Sequence, residues 1–389
     1  MINISNKIQY FLKSDINELF ITNALRSFAL STIAVFIPIF FLQKGYSLWE
    51  VILYFLIQST IGIFLDYGAS KFCAKKGLKH SIMMSIPFMI LFFLMLYNID
   101  FLTHWFGRIG ILVFLTLISK TSTALFFIGF HIDFAKFSHR DQSAKEISLI
   151  QALGIISSII GPFFGAIMIT YFSFNVLFII VILVLILSIV PQFFSSEVHE
   201  PFEFKLGKIF RKEERGHSGV YFAEGFRDYA ARIFWPILMF FLLINITGIG
   251  GIYTISSAIL AIFTIYIGRK IHAHNKKKIL RIGAIIHTFT LAIRTLLKTV
   301  SIIAVVQGFG ALSFSMIQVP FQSMFYNNSK TKGIAYSVYA RELYLSLGRI
   351  AVVLLLMALL LFFEPILSLI ITIIVGALFT LLMTKIKEL

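Results

Sequence analysis

SKFCAKKGLKHSIMM, residues Ser70 to Met84, interrupts a long apolar run with a small residue, four lysines and a glycine. GRKIHAHNKKKILRIG, Gly268 to Gly283, does the same 198 residues later. Around both patches the chain is almost continuously apolar. Of 389 residues, 58% are hydrophobic and 13% charged, with a mean hydropathy of +0.91, a composition suited to lipid as solvent. A hydrocarbon core of about 30 Å takes about 20 apolar residues per helical crossing. Twelve such spans are read from the chain: 18–43, 48–74, 80–98, 106–132, 143–171, 173–192, 218–245, 248–271, 278–296, 300–327, 333–362 and 365–385. They are too long and too uniformly apolar for barrel strands of about ten alternating residues. Pro87, Pro162, Pro236 and Pro320 are compatible with helix, because neighbouring helices re-satisfy the freed backbone groups.

The net charge of +16 raises the question of nucleic acid. Its distribution answers it. With the first residue placed in the cytoplasm and residues at span ends counted with the adjoining side, 24 of the 34 Lys and Arg are cytoplasmic, 4 outside (Lys44, Arg108, Arg294, Lys298) and 6 in span interiors (Arg26, Lys120, Arg227, Arg232, Arg341, Arg349). Inner cations resist translocation and face an anionic leaflet, so no nucleic acid partner is expected. The expected location is the cytoplasmic membrane with both termini inside. The first apolar run, starting at Leu19, is longer than a signal core and carries Asn23 and Arg26, so a retained first helix is expected. Cys73, the single cysteine, allows no internal disulfide and no metal cluster; no metal or other cofactor is expected.

The longest polar segment, residues 195–219, divides six spans from six. The two sides match at three places. LRSFAL (Leu25 to Leu30) aligns with FRDYAA (Phe226 to Ala231), each followed by a proline and the common FFL of Phe40 to Leu42 and Phe240 to Leu242. The basic patches are the second match; QALG (Gln151 to Gly154) with LSLG (Leu345 to Gly348) is the third. Offsets between 194 and 201 indicate an internal duplication. An even number of crossings per copy makes the repeats parallel, related by an axis along the membrane normal with a seam between them. The expected fold class is all-α: a polytopic membrane protein with 12 transmembrane helices in two pseudo-symmetric six-helix bundles, residues 1–192 and 218–389, joined by a cytoplasmic linker, 193–217.

With these features the chain resembles the major facilitator superfamily over essentially its whole length. The family's signature after its second helix runs Gly, three variable residues, Asp, Arg, a variable residue, Gly, Arg, Lys. Ser70, Ala74, Lys75, Gly77, Leu78 and Lys79 take those places here, with Ala74 where the family has its acid. Gly268, His272, Ala273, Asn275, Lys276 and Lys277 take them in the second half, again without the acid. Two readings of these loops are open: positive-inside anchors alone, or gating elements, for which Ser70, Lys75, Gly77, Lys79, Gly268 and Lys277 are the candidates. In span 5, Gly161, Pro162 and Gly165 resemble the superfamily's antiporter motif, with Ser157 and Ala166 in place of family glycines; small residues for tight packing explain the same letters. The resemblance also implies that helices 1, 4, 7 and 10 line a central cavity and 3, 6, 9 and 12 face lipid.

An ionisable group in the membrane costs about 2.5 to 3.5 kcal/mol and faces protein or water. Lys120 lies mid-span without an acid nearby in sequence; it is either a cavity cation or half of a fixed pair with another helix. Arg26 and Arg227 hold equivalent places in spans 1 and 7 and are substrate ligands or internal braces. In FAEGFRDYAARIFWP, Glu224 and Arg227 are three apart and Asp228 and Arg232 four apart, so they can neutralise one another. Glu224 and Asp228 also share a face, and like charges in a dry place oppose joint ionisation, as proton coupling requires. Asp66 and Glu342 are further proton-coupling candidates. Gln151 and Gln318 join Lys120, Arg26 and Arg227 as candidate substrate ligands; Gln58, Gln307, Gln322 and Asn245 could also bond a solute or other helices.

The expected function is a secondary transporter, monomeric among membrane lipids, moving a small-molecule solute by alternating access, proton-coupled because the chain has no P-loop, with a lean to efflux. It is not expected to be an enzyme. The competing readings are a polytopic enzyme on a lipid-linked substrate, with His131 and Asp133 as its candidate pair, and a lipid flippase or scramblase.

Overall fold

The computed structural model describes residues 15–137, 159–193, 197, 199, 217–242, 244–271 and 275–386. Among them there are helices and no strands. The helices preceding the linker are α1 (Asp15–Ser31), α2 (Ile37–Gln43), α3 (Leu48–Lys76), α4 (Leu78–Tyr97), α5 (Ile99–Phe137), α6 (Gly161–Tyr171) and α7 (Phe174–Ile189). Those following it are α8 (Ser218–Tyr229), a π-helical segment (Ala230–Phe234), α9 (Trp235–Phe241), α10 (Ile246–Lys270), α11 (Lys276–Ile293), α12 (Val300–Lys332), α13 (Ile334–Leu359) and α14 (Pro365–Leu382). Nine of the described helices are long and apolar enough to cross a membrane.

Local chemistry sets the boundaries. Ser47 and Glu50 form a capping box that starts α3: Glu50 N–H donates to Ser47 Oγ at 3.3 Å and Ser47 N–H to Glu50 Oε2 at 2.7 Å. Gly77, at φ 102°, ends α3 in a conformation that only glycine adopts without strain. The predicted span 106–132 is longer in the structure, because α5 joins an earlier helical stretch from Ile99 through a break at Gly107.

Spans 1 and 7 are not single α-helices. Residues 32–36 form turns between α1 and α2, and residues 230–234 widen into the π segment between α8 and α9. The two interruptions are 198 residues apart, as are Pro38 and Pro236 just beyond them. Each proline lacks an N–H for the carbonyl four residues back and its ring crowds that carbonyl, which loosens the preceding turn. A chemical cause repeated at the offset of the basic patches makes the same break twice.

Packing repeats in the same way. Before the linker α3 packs on α5, α5 on α4, α4 on α7 and α1 on α7; after it α10 packs on α12, α12 on α11, α11 on α14 and α8 on α14. The broadest contacts between the two sets are α3 with α13 and α6 with α10, a pair that exchanging the sets would interconvert. Glycines allow the closest approaches. A Cβ on Gly250 of α10 would lie 2.7 Å from the Pro162 carbonyl oxygen and 2.5 Å from Ala166 Cβ. Large apolar side chains such as Phe64, Leu183, Phe289 and Phe309 are exposed.

Candidate functional site

The buried charges collect where α3 and α5 meet α13, and α13 meets α8. Asp66 of α3 and Lys120 of α5 are buried and pair at 3.1 Å. The lysine stem can reach this position because Gly62, one turn before Asp66, has no side chain: a Cβ there would lie 2.5 Å from Lys120 Cε. Lys120 therefore has the partner from another helix that its sequence lacked. Glu342 and Arg349 of α13 act on Asp66 through space, and Lys120 acts on Glu342.

On the other side of α13, Arg341 grips Glu224 of α8 with two bonds, Nε to Oε2 at 3.1 Å and Nη2 to Oε1 at 2.5 Å. This is the fork geometry that favours arginine over lysine. Arg341 Nη1 also lies 3.9 Å from Glu342 Oε1, and its guanidinium stands 4.9 Å over the Phe325 ring. Asp228 accepts from Arg349 Nη2 and Arg232 Nη1, both at 3.2 Å. The local pairing read from the sequence thus holds for Asp228 with Arg232 and not for Glu224 with Arg227, because Arg341 takes Glu224. Arg341 and Arg349 were visible as charges in span 11, but their partners lie 117 and 121 residues away, and no spacing rule connects them.

Once these pairs are formed, Arg26 and Arg227 are left over. Each is 4% exposed. Arg26 lies 3.8 Å over Phe126 of α5, with Nε and Nη2 unbonded among the described residues. Arg227 lies 4.7 Å over Phe314 of α12, with Nε unbonded. The same device, an arginine of span 1 or 7 on an aromatic of span 4 or 10, occurs in both sets. Each arginine leans on its own set; the two are not brought together.

A polar chain also crosses the contact. Tyr229 of α8 donates to Gln58 Oε1 at 3.3 Å and accepts from Ser59 at 3.0 Å; Gln58 donates to Ser119 at 3.3 Å. Tyr229 was not among the residues singled out from the sequence, since a tyrosine in an apolar span looks like packing. His131 Nδ1 lies 2.6 Å from the hydroxyl of Tyr326 on α12, joining α5 to the other set. Asp133 is buried two residues further on.

The remaining candidates are dispersed. Ser70 is buried and donates to the Asp66 carbonyl at 2.9 Å; Lys75 and Lys277 are exposed and Gly268 is buried. The acid missing at Ala74 reaches this loop from elsewhere: Glu197 accepts from the N–H groups of Lys79 at 3.0 Å and His80 at 3.1 Å and contacts the His80 ring. At the N-terminus of α4 a carboxylate is well placed for the exposed N–H groups. Gly161 and Gly165 let α6 close on α1 at Ser31 and Thr32, while Pro162 faces Gly250. Gln318 Oε1 is unbonded among the described residues. Gln151 lies outside the described residues, as do His272 and Ala273. No group of His, Cys, Asp and Glu among the described residues could hold a metal ion.

A polytopic helical membrane protein with the major facilitator fold is the class these features define. The crystal structure of the human organic anion transporter MFSD10 (TETRAN) superposes with a TM-score of 0.69, covering 95% of this chain and 98% of that one at 10% identity. At that identity the likeness is one of fold. The sequence matches no family profile and no curated protein.

Proposed function

We propose that the protein is a secondary active transporter whose two six-helix bundles, residues 1–192 and 218–389 joined by the linker 193–217, rock to expose a central site alternately to each side of the cytoplasmic membrane. The observation that carries this reading is the ionic cluster. Its strong pairs lie within each bundle, Lys120 with Asp66 and Arg341 with Glu224, while across the contact Glu342 and Arg349 act through space on Asp66, and Lys120 on Glu342. Charges arranged in this way can exchange partners as the bundles move without being left alone in a dry place. A purely structural core would be served as well by apolar packing.

The solute is an organic anion. Asp66, Glu224, Asp228 and Glu342 each have a cation at hand, whereas Arg26 and Arg227 make no ion pair among the described residues: Arg26 lies over Phe126 with Nε and Nη2 unbonded, and Arg227, on which Glu224 and Asp228 act only through space, lies over Phe314 with Nε unbonded. An anion entering the seam would find excess positive charge, with Gln151 and Gln318 as further polar contacts. The similarly folded human protein is an organic anion transporter, which points the same way. Protons drive the cycle through Asp66 and Glu342, carboxylates of opposite bundles that compete for Lys120, with Glu224 and Asp228 as a second pair. Export is the direction favoured by the glycine–proline motif of α6.

The test is solute flux in proteoliposomes, using carboxylate and sulfonate solutes with and without a pH gradient. Gradient-driven accumulation is expected, and Asp66→Asn should abolish it while sparing solute exchange at equal pH. Absence of flux for every solute, with lipid-linked product or lipid scrambling in its place, overturns the reading.

A further inference from the structure

A second cluster of basic and donor groups lies inside the C-terminal set, next to the ionic cluster but, among the described residues, sharing no ion pair with it: Arg227 and Arg232 act on it only through space. Arg294 follows the last residue of α11, at the start of a short 3-10 turn (Arg294–Leu296), and is 6% exposed. Its Nη1 donates to Gln307 Oε1 of α12 at 2.8 Å, and its guanidinium stands 4.5 Å over the ring of the fully buried Trp235 at the start of α9. Nε and Nη2 have no hydrogen-bond partner among the described residues, nor does the indole Nε1–H of Trp235. The Tyr253 hydroxyl of α10 approaches Gln307 without completing a hydrogen bond of good geometry.

The titratable groups that act on Arg294 are Tyr253 and Arg227, with no carboxylate among them. Arg227 and Arg294 also act together on His287, whose Nε2 is likewise unbonded. A buried guanidinium normally has a carboxylate, and buried donors are normally matched. Here Arg294 stands over the Trp235 ring and is acted on by Tyr253, and the unbonded donors of these three side chains outnumber the side-chain acceptor present. Gln307 supplies one acceptor, already used by Nη1.

We propose that Arg294, Tyr253 and Trp235 form a binding site for a small monovalent anion, a halide or a short carboxylate. The positive-inside reading places it toward the outer face of the C-terminal set. The anion neutralises Arg294 and accepts from Nε, Nη2, the tyrosine hydroxyl and the indole N–H. Close packing around Trp235 confines the ligand to a few atoms. This site does not depend on the chain's being a transporter, and a protein that moves no solute would still bind the ion.

Trp235 is itself the reporter. Trp49 and Trp105 are 39% and 70% exposed, so Trp49→Phe and Trp105→Phe leave Trp235 as the sole indole without disturbing the interior. In this background, chloride, bromide or acetate is titrated against gluconate at constant ionic strength, and Trp235 emission and thermal midpoint are followed. A saturable emission change is expected, with a higher midpoint in the bound anion; saturation by halides or by acetate names the source. Arg294→Gln should remove the saturable component. Tyr253→Phe, which keeps the ring, should raise the half-saturating concentration several-fold, and it decides the matter if Arg294→Gln does not fold. Emission that responds linearly to bromide, with equal midpoints in all four anions, overturns the proposal and leaves Arg294 a structural cation.

Discussion

At the scale of the residue, Lys120 and Asp66 decide how much the buried charges contribute. Removing one member of a buried pair strands the other, at a cost of about 3–5 kcal/mol, whereas replacing both with apolar groups of similar size is close to neutral. Lys120→Met should therefore lower the thermal midpoint in detergent strongly, and adding Asp66→Leu should recover most of the loss. Flux should be absent in both. If the double variant melts no higher than the single one, the 3.1 Å pair is not what holds α3 to α5. Arg341→Lys tests the fork on Glu224 in the same way: the charge remains, the second bond does not, and stability should fall by about 1–3 kcal/mol in chemical denaturation. No change would mean that charge alone matters there.

Among the elements, contacts made by small residues set how closely the helices approach. Gly250→Val would drive a side chain into the Pro162 carbonyl and Ala166, and should destabilise by about 1–3 kcal/mol in thermal melting; an unchanged midpoint would show that α6 and α10 do not touch in the membrane. The elements were largely legible in the sequence, because apolar length and basic loops act locally: the starts of α3 and α4 fall within two residues of the spans read for them. What was not legible was the interruption of spans 1 and 7, although Pro38 and Pro236 marked its place, since a proline says that a helix is perturbed without saying whether it unwinds or widens. The site was half legible. Lys120, Asp66, Glu224 and Asp228 stood out as charges in lipid, but which partner each takes depends on tertiary contact, and Tyr229 and Trp235 gave no signal because aromatic residues are ordinary in such spans.

For the whole molecule, the question is whether the two sets of helices separate where His131 meets Tyr326. That 2.6 Å contact joins α5 to α12, near the ends that the positive-inside reading places in the cytoplasm, whereas α6 and α10 meet at Gly250 toward the opposite face. A rocking molecule cannot keep both contacts through a full cycle. The single native cysteine, Cys73, is buried, so Cys73→Ser gives a background in which His131→Cys and Tyr326→Cys can be joined by a short, reducible bifunctional thiol reagent. Joining them should stop flux, and reduction should restore it, while either cysteine alone, treated identically, should transport normally. Flux that continues with the two positions joined would mean that the sets do not part at this end. A fixed channel or a motion confined to one set would then have to replace the rocking mechanism, even though the fold would be unchanged.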